Sequence, residues 1–302
     1  MIIDLADRAI SGTLDRVRAR GGELMRTAII GNEGLRPDEL ASPDDPGLFG
    51  PHSAAWRVHG NSSMLIGGLR ALLLQTLHPA TMAGVADHSN YKNDPWGRLH
   101  RTGRFVGATT FGRTAVAEGA IAQVRTIHNY VSGTLPNGES YFANDPHLLN
   151  WVHITEVDSF YQAYARHGAR PMSEADADRY VAEMAVVATG LGVIDPPANQ
   201  AELAAAIDSY RPECEVSPQT QEAVGFLLIP PVPLVLRGGY GTIAAGAVAL
   251  LPRWAQAKLG LLLPPAADPV VIKPAATAIT RSIGWLMSHD PAVQERQRWT
   301  TQ

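Results

Sequence analysis

The stretch Ser63–Val85, SMLIGGLRALLLQTLHPATMAGV, is apolar on almost every side. Around Leu72–Leu74 a helix built from it has no polar face, and a helix apolar all round belongs in the middle of its protein. Pro79 kinks or splits it, because an interior proline removes a backbone hydrogen bond and clashes with the preceding turn. Arg70 is then an interior cation that needs a partner, since an unpaired buried charge is costly.

Outward from this helix, the punctuation is helical. Residues 2–28 read as an amphipathic first helix, followed by a long Gly-, Pro- and Asp-rich segment to Gly60 with one short helical piece. Irregular segments of that length are usually functional or serve as wrap-around arms. Asp94-Pro95 and Asp145-Pro146 each read as an N-cap followed by a first-turn proline. They open helices to about Phe111 and His167, the second stopped by Gly168, with another helix over about 115–131 that Gly133 stops. Residues 132–145 read as a turn-rich connector. Ser173 with Asp176 resembles a capping box for a helix ending near Gly190 or Gly192, and a further helix covers about 197–213. Residues 217–230, 239–262 and 273–288 supply the last three. No convincing alternating strand pattern, repeat or linker stands out. The expectation is all-α: one compact multi-helix domain over residues 1–302, with a central apolar helix pair enclosing a cofactor pocket.

Composition narrows the function classes. The chain has 302 residues, 45% hydrophobic and 18% charged, with net charge −4. There is no basic run or aromatic–basic interleaving, so nucleic acid is not an expected partner. A single cysteine, Cys214, excludes cysteine-built zinc and iron–sulfur sites. Its neighbours Glu213 and Glu215 disfavour the thiolate, which predicts an inert thiol. The N-terminus lacks a continuous apolar signal-peptide core, and prolines and Arg237 interrupt the most apolar region, Val224–Pro265. A cytoplasmic location is the expectation, with peripheral membrane contact left open.

Candidate chemistry concentrates on two consecutive helices. Arg98, Arg101, Thr102 and Phe105 share one face of the first. On the second, QVRTIHNYVSG (Gln123–Gly133), His128 falls in the apolar stripe of Ala117, Ile121, Val124 and Val131, with Arg125 three residues before it. A histidine there is either a core residue satisfied by one hydrogen bond or a neutral nitrogen ligand, for instance to haem iron. Arginines beside it suit haem propionates, which are carboxylates. A second pair, His153 and Glu156, could place two ligands of a non-haem metal on one helix face, but the paired Glu-x-x-His motifs of a di-metal bundle are absent. Glu156 is alternatively an ion-pair partner of Arg70 or another interior arginine. His78, Asp87 and His88 flank a helix end and turn. No nucleophile elbow, P-loop, dinucleotide fingerprint or His-Glu-x-x-His occurs.

GGLRALLLQTLHPATMAGVADHS, DPWGRLHRTGRFVGATTFG, VRTIHNYVSG and YFANDPHLLNWVHITEVDSF, in this order over about residues 60–165, resemble the rubber oxygenase catalytic domain family. That family includes bacterial latex clearing proteins and the membrane-bound fungal oxygenase of mycophenolic acid biosynthesis. The resemblance implies an all-helical fold holding haem b, with dioxygen as co-substrate for cleaving a carbon–carbon double bond. The family pattern Arg-x-x-x-Thr then Arg-x-x-His falls on Arg98, Thr102, Arg125 and His128. It implies His128 as the iron ligand, with Arg98, Thr102 and Arg125 supporting the haem.

Two departures matter. The family's distal lysine is replaced by Arg101, a poor iron ligand because it stays protonated. The family's distal glutamate has no clear counterpart, and Asp87 is the nearest acidic candidate. The catalytic set is thus Arg101, Thr102 and Asp87, and the substrate an apolar small molecule such as a terpenoid or lipid rather than insoluble rubber. The competing expectations are a haem sensor or carrier without oxygenase activity, a non-haem metalloenzyme using His153 and Glu156, and a helical protein that has lost its cofactor.

Overall fold

Proline and small polar residues mark where the helices begin. In the computed structural model, Ser53, Asp94, Asp145, Ser173, Asn199 and Ser217 each accept a hydrogen bond from a first-turn backbone N–H of the helix that follows. Proline stands directly after Asp94, Asp145 and Ser217, where a missing N–H costs nothing.

The structure describes residues 20–27, 31, 34–231, 233–288 and 293–294. Its helices are α1 (Ala54–His59), α2 (Met64–Gln75), α3 (Pro79–His88), α4 (Pro95–Phe111), α5 (Thr114–His128) and α6 (Pro146–His167). They continue as α7 (Glu174–Leu191), α8 (Gln200–Ser209), α9 (Pro218–Leu228), α10 (Leu234–Leu250), α11 (Arg253–Leu259) and α12 (Lys273–Met287). A 3₁₀ turn covers Pro37–Glu39, and a π turn, Asp268–Ile272, leads into α12. The only described strands are β1 (Ser132–Thr134) and β2 (Ser140–Phe142), an antiparallel pair. The all-α expectation holds.

The differences are local. Pro79 splits the central apolar stretch into α2 and α3, and Pro252 divides the expected 239–262 helix into α10 and α11. The expected 115–131 helix stops at His128, and Gly133 belongs to β1 instead of ending the helix. It pairs with Tyr141, whose ring would lie 2.5–2.7 Å from any Cβ at position 133. Three-residue strands are too short to show a period of two. Of the predicted first helix, residues 20–27 are helical and residues 2–19 and 28 lie outside the described residues.

The core is built on α2 and α6, the most extensively packed pair. Ile66, Leu73, Leu74, Trp151 and Ile154 are fully buried between them and their neighbours. Gly67 lets the backbones approach: a Cβ there would meet Ser159 O at 2.9 Å and Phe160 Cα at 3.0 Å. Gly67→Ala is therefore expected to destabilise the fold by about 1–3 kcal/mol, the usual cost of overpacking. The urea midpoint reads this directly, and an unchanged midpoint would show that the helices part without cost.

Arg70, on α2, finds its partner in Asp158 at 2.6 Å, not in Glu156. It also donates to Ser159 Oγ and Leu250 O. The long segment before α1 is an arm. Glu39 receives Arg104 at 2.8 Å, and Leu40 bridges Gly112. Asp45 accepts from Thr114 N and Oγ1 at the start of α5. The arm thus clasps the turn between α4 and α5. Cys214 is buried, and desolvation, ahead of the influence of Lys258 and Glu213, pushes its thiol up to about 11. Burial thus disfavours the thiolate more than Glu213 does. No described helix is long and apolar enough to cross a membrane.

Candidate functional site

The predicted site residues other than Asp87 lie on the hairpin of α4 and α5, joined by Gly112 and Arg113. The hairpin is anchored at its closed end: Ala108–Phe111 are buried, and Phe111 packs edge-on against Trp56 at 5.2 Å. His59 Nδ1 bonds Thr110 Oγ1 at 2.7 Å, while its Nε2 bonds Tyr180 Oη at 2.9 Å, joining α1, α4 and α7. Toward the open end burial fades. None of residues 95–107 is fully buried, and α5 buries only Ala117. Beyond each other, α4 packs mainly on α1 and α5 on α7, and neither packs extensively on the α2–α6 pair.

His128 forms the last turn of α5 and is half-buried. Its ring makes no hydrogen bond with a described residue. Burial lowers its pKa, so the imidazole is neutral with a free lone pair. Arg98 is half-buried on α4 and forms no ion pair with a described carboxylate. Burial lowers its pKa, Tyr91 opposes that, and Arg101 adds to it. Arg101 is exposed and pairs with Asp94, its own helix cap, at 3.3 Å. Thr102 is exposed. Arg125 is exposed too, its Nη1 3.5 Å from Gly190 O, in a groove of about 430 Å³ shared with Glu118 and Ile121.

No hydrogen bond or ion pair links Arg98, Arg101 or Thr102 to Arg125 or His128. Asp87 belongs to neither group. It is exposed near the end of α3 and accepts from Tyr141 Oη at 2.6 Å, which ties α3 to the β-hairpin.

The second predicted pair lies on α6. His153 is buried, its Nε2 without a partner, and desolvation takes its pKa to about 4. Glu156 makes no hydrogen bond with a described residue, and desolvation raises its carboxyl to about 7. It lies within electrostatic reach of Tyr180, whose pKa is raised mainly by burial and then by Glu156. No third metal-ligating side chain is grouped with His153 and Glu156 among the described residues; the one such group there is His78, His147 and Glu213. Sequence reading missed that trio. His78 and His147 flank the prolines Pro79 and Pro146, a weak signal, but nothing local connects either to Glu213.

The raised Glu156 has a signed consequence. Between about 4.5 and about 7 the folded state holds a proton that the unfolded chain has lost, so this group's contribution to stability declines as pH rises through that window. Glu156→Gln removes the decline. Unfolding midpoints at pH 5 and pH 8 should therefore fall less for the variant than for the parent. Equal falls would mean that Glu156 titrates normally.

Against this geometry, a family model described as the catalytic domain of ER-bound oxygenase mpaB/B' and rubber oxygenase matches residues 56–284, more than half the chain. The chain belongs to this oxygenase family. No curated protein and no solved structure matches it. The matched span runs from α1 into α12 and includes Asp87, Arg98, Arg101, Thr102, Arg125, His128, His153 and Glu156. As a catalytic domain of the oxygenase family, the chain is an oxidoreductase.

Proposed function

We propose that this oxygenase-family member is a haem b-dependent enzyme that uses dioxygen to oxidise an apolar small molecule such as a terpenoid or lipid, cleaving a carbon–carbon double bond. The observation that carries the reading is His128: a neutral, half-buried imidazole without a hydrogen-bond partner among the described residues, in an otherwise apolar stripe. His59, by contrast, has both ring nitrogens bonded, to Thr110 and Tyr180.

The residues present suit haem. His128 would hold the iron. Arg98, half-buried without a carboxylate of its own, would pair with a propionate, and Arg125, one turn before His128, with the other. Ile121 lines the groove that also holds Arg125. Haem supplies dioxygen activation when bound. The chain's own contribution is to bind, orient and exclude water. Arg101 and Thr102 would donate hydrogen bonds at the edge of the site. Asp87 already accepts a hydrogen bond from the Tyr141 hydroxyl, so base work there would compete with that bond.

The experiment is an absorption spectrum of protein expressed with haem precursor, then oxygen uptake with candidate alkenes. A Soret band together with alkene-dependent uptake supports the reading. Haem without uptake would make the protein a carrier or sensor, and no band would remove haem altogether.

A further inference from the structure

Away from the hairpin, His78, His147 and Glu213 converge from three separate parts of the chain. His78 is the N-cap of α3, His147 belongs to the first turn of α6, and Glu213 lies between α8 and α9. One ligand atom from each lies within 4.8 Å of the other two. The Nε2 atoms of His78 and His147 approach the same oxygen, Glu213 Oε2, at 3.2 and 2.7 Å. We propose that this trio is a divalent transition-metal site, of the class that takes Zn²⁺, separate from the haem site and independent of the haem reading.

The donor chemistry fits. Two imidazole nitrogens and one carboxylate form a common Zn²⁺ ligand set, and three protein ligands leave a position for water. The rings are held before any ion arrives. His147 stacks on Tyr210, centroids 4.4 Å apart at 20°, and Tyr210 Oη donates to His147 O. His78 packs near both Trp151 and Tyr210. In the ion-free state the Nε2 protons of both rings are donated to Glu213 Oε2, so an ion binding there displaces them.

Access and charge also fit. The side chains of His147 and Glu213 are 50% and 42% exposed, so an ion enters from solvent while His78 anchors it from inside. Burial lowers the pKa of His78, leaving it neutral as coordination requires. For Glu213, burial acts upward but the two imidazoles together prevail and hold it low, so it is ionised. An ion here would staple the starts of α3 and α6 to the segment before α9.

The test uses the full-length chain without a polyhistidine tag, stripped with chelator and titrated with Zn²⁺ and, separately, Co²⁺. The expected result is one equivalent of Zn²⁺ bound, visible Co²⁺ d–d bands, and a metal-dependent rise in the thermal midpoint. His147→Ala and Glu213→Gln should each lose all three, with metal-free midpoints showing that the variants fold. His128→Ala should keep them. Absence of stoichiometric binding in the parent, unchanged binding in both trio variants, or loss with His128→Ala instead would overturn the proposal.

Discussion

Replacing His128 with alanine is expected to abolish the Soret band that the proposed haem would give and to bring oxygen uptake to background. The expectation is this strong because in the proposed site one imidazole nitrogen would tie the iron to the chain, and no other histidine shares the apolar stripe of α5. The variant should still fold. The His128 ring makes no hydrogen bond with a described residue, and α5 buries only Ala117, so little packing is lost. Far-UV circular dichroism should match the parent, and added imidazole should restore the band by filling the space the ring leaves. A persistent band in His128→Ala would transfer the ligand role elsewhere, with His153 and its unpartnered Nε2 the next residue to replace.

Asp158→Ala should be the most damaging substitution for stability. The side chains of Arg70 and Asp158 are 3% and 11% exposed, at the contact of α2 with α6. Removing the carboxylate strands a guanidinium in the core, and breaking such a pair costs about 3–5 kcal/mol. Ser159 Oγ and Leu250 O still accept from Arg70, but neither carries a countercharge. The double variant Arg70→Met, Asp158→Leu should recover much of the loss, because apolar residues can replace a buried pair at little net cost. Denaturant unfolding of the three proteins measures both effects. A single-variant loss below about 1 kcal/mol would show that the two neutral acceptors suffice.

Both predictions concern polar groups in apolar helices, and the sequence exposed each of them. An arginine inside Ser63–Val85 demanded a partner, but not which one. Glu156 and Asp158 are two residues apart and so point to different sides of α6; only the docking of α2 on α6 selects Asp158. His128 was likewise conspicuous as a polar interruption, whereas its lack of a bonding partner depends on what packs around α5.

Capping chemistry and helical periodicity are local, acting over three or four residues. The sequence by itself therefore determined the all-α class, the starts of α4, α6, α7 and α9, and the chain order of Arg98, Thr102, Arg125 and His128. Burial, partner choice and convergence are long-range quantities that depend on how helices dock. Only the tertiary structure decided that the pre-α1 arm clasps the α4–α5 turn, that Glu156 is desolvated, and that His78, His147 and Glu213 meet from positions more than sixty residues apart along the chain.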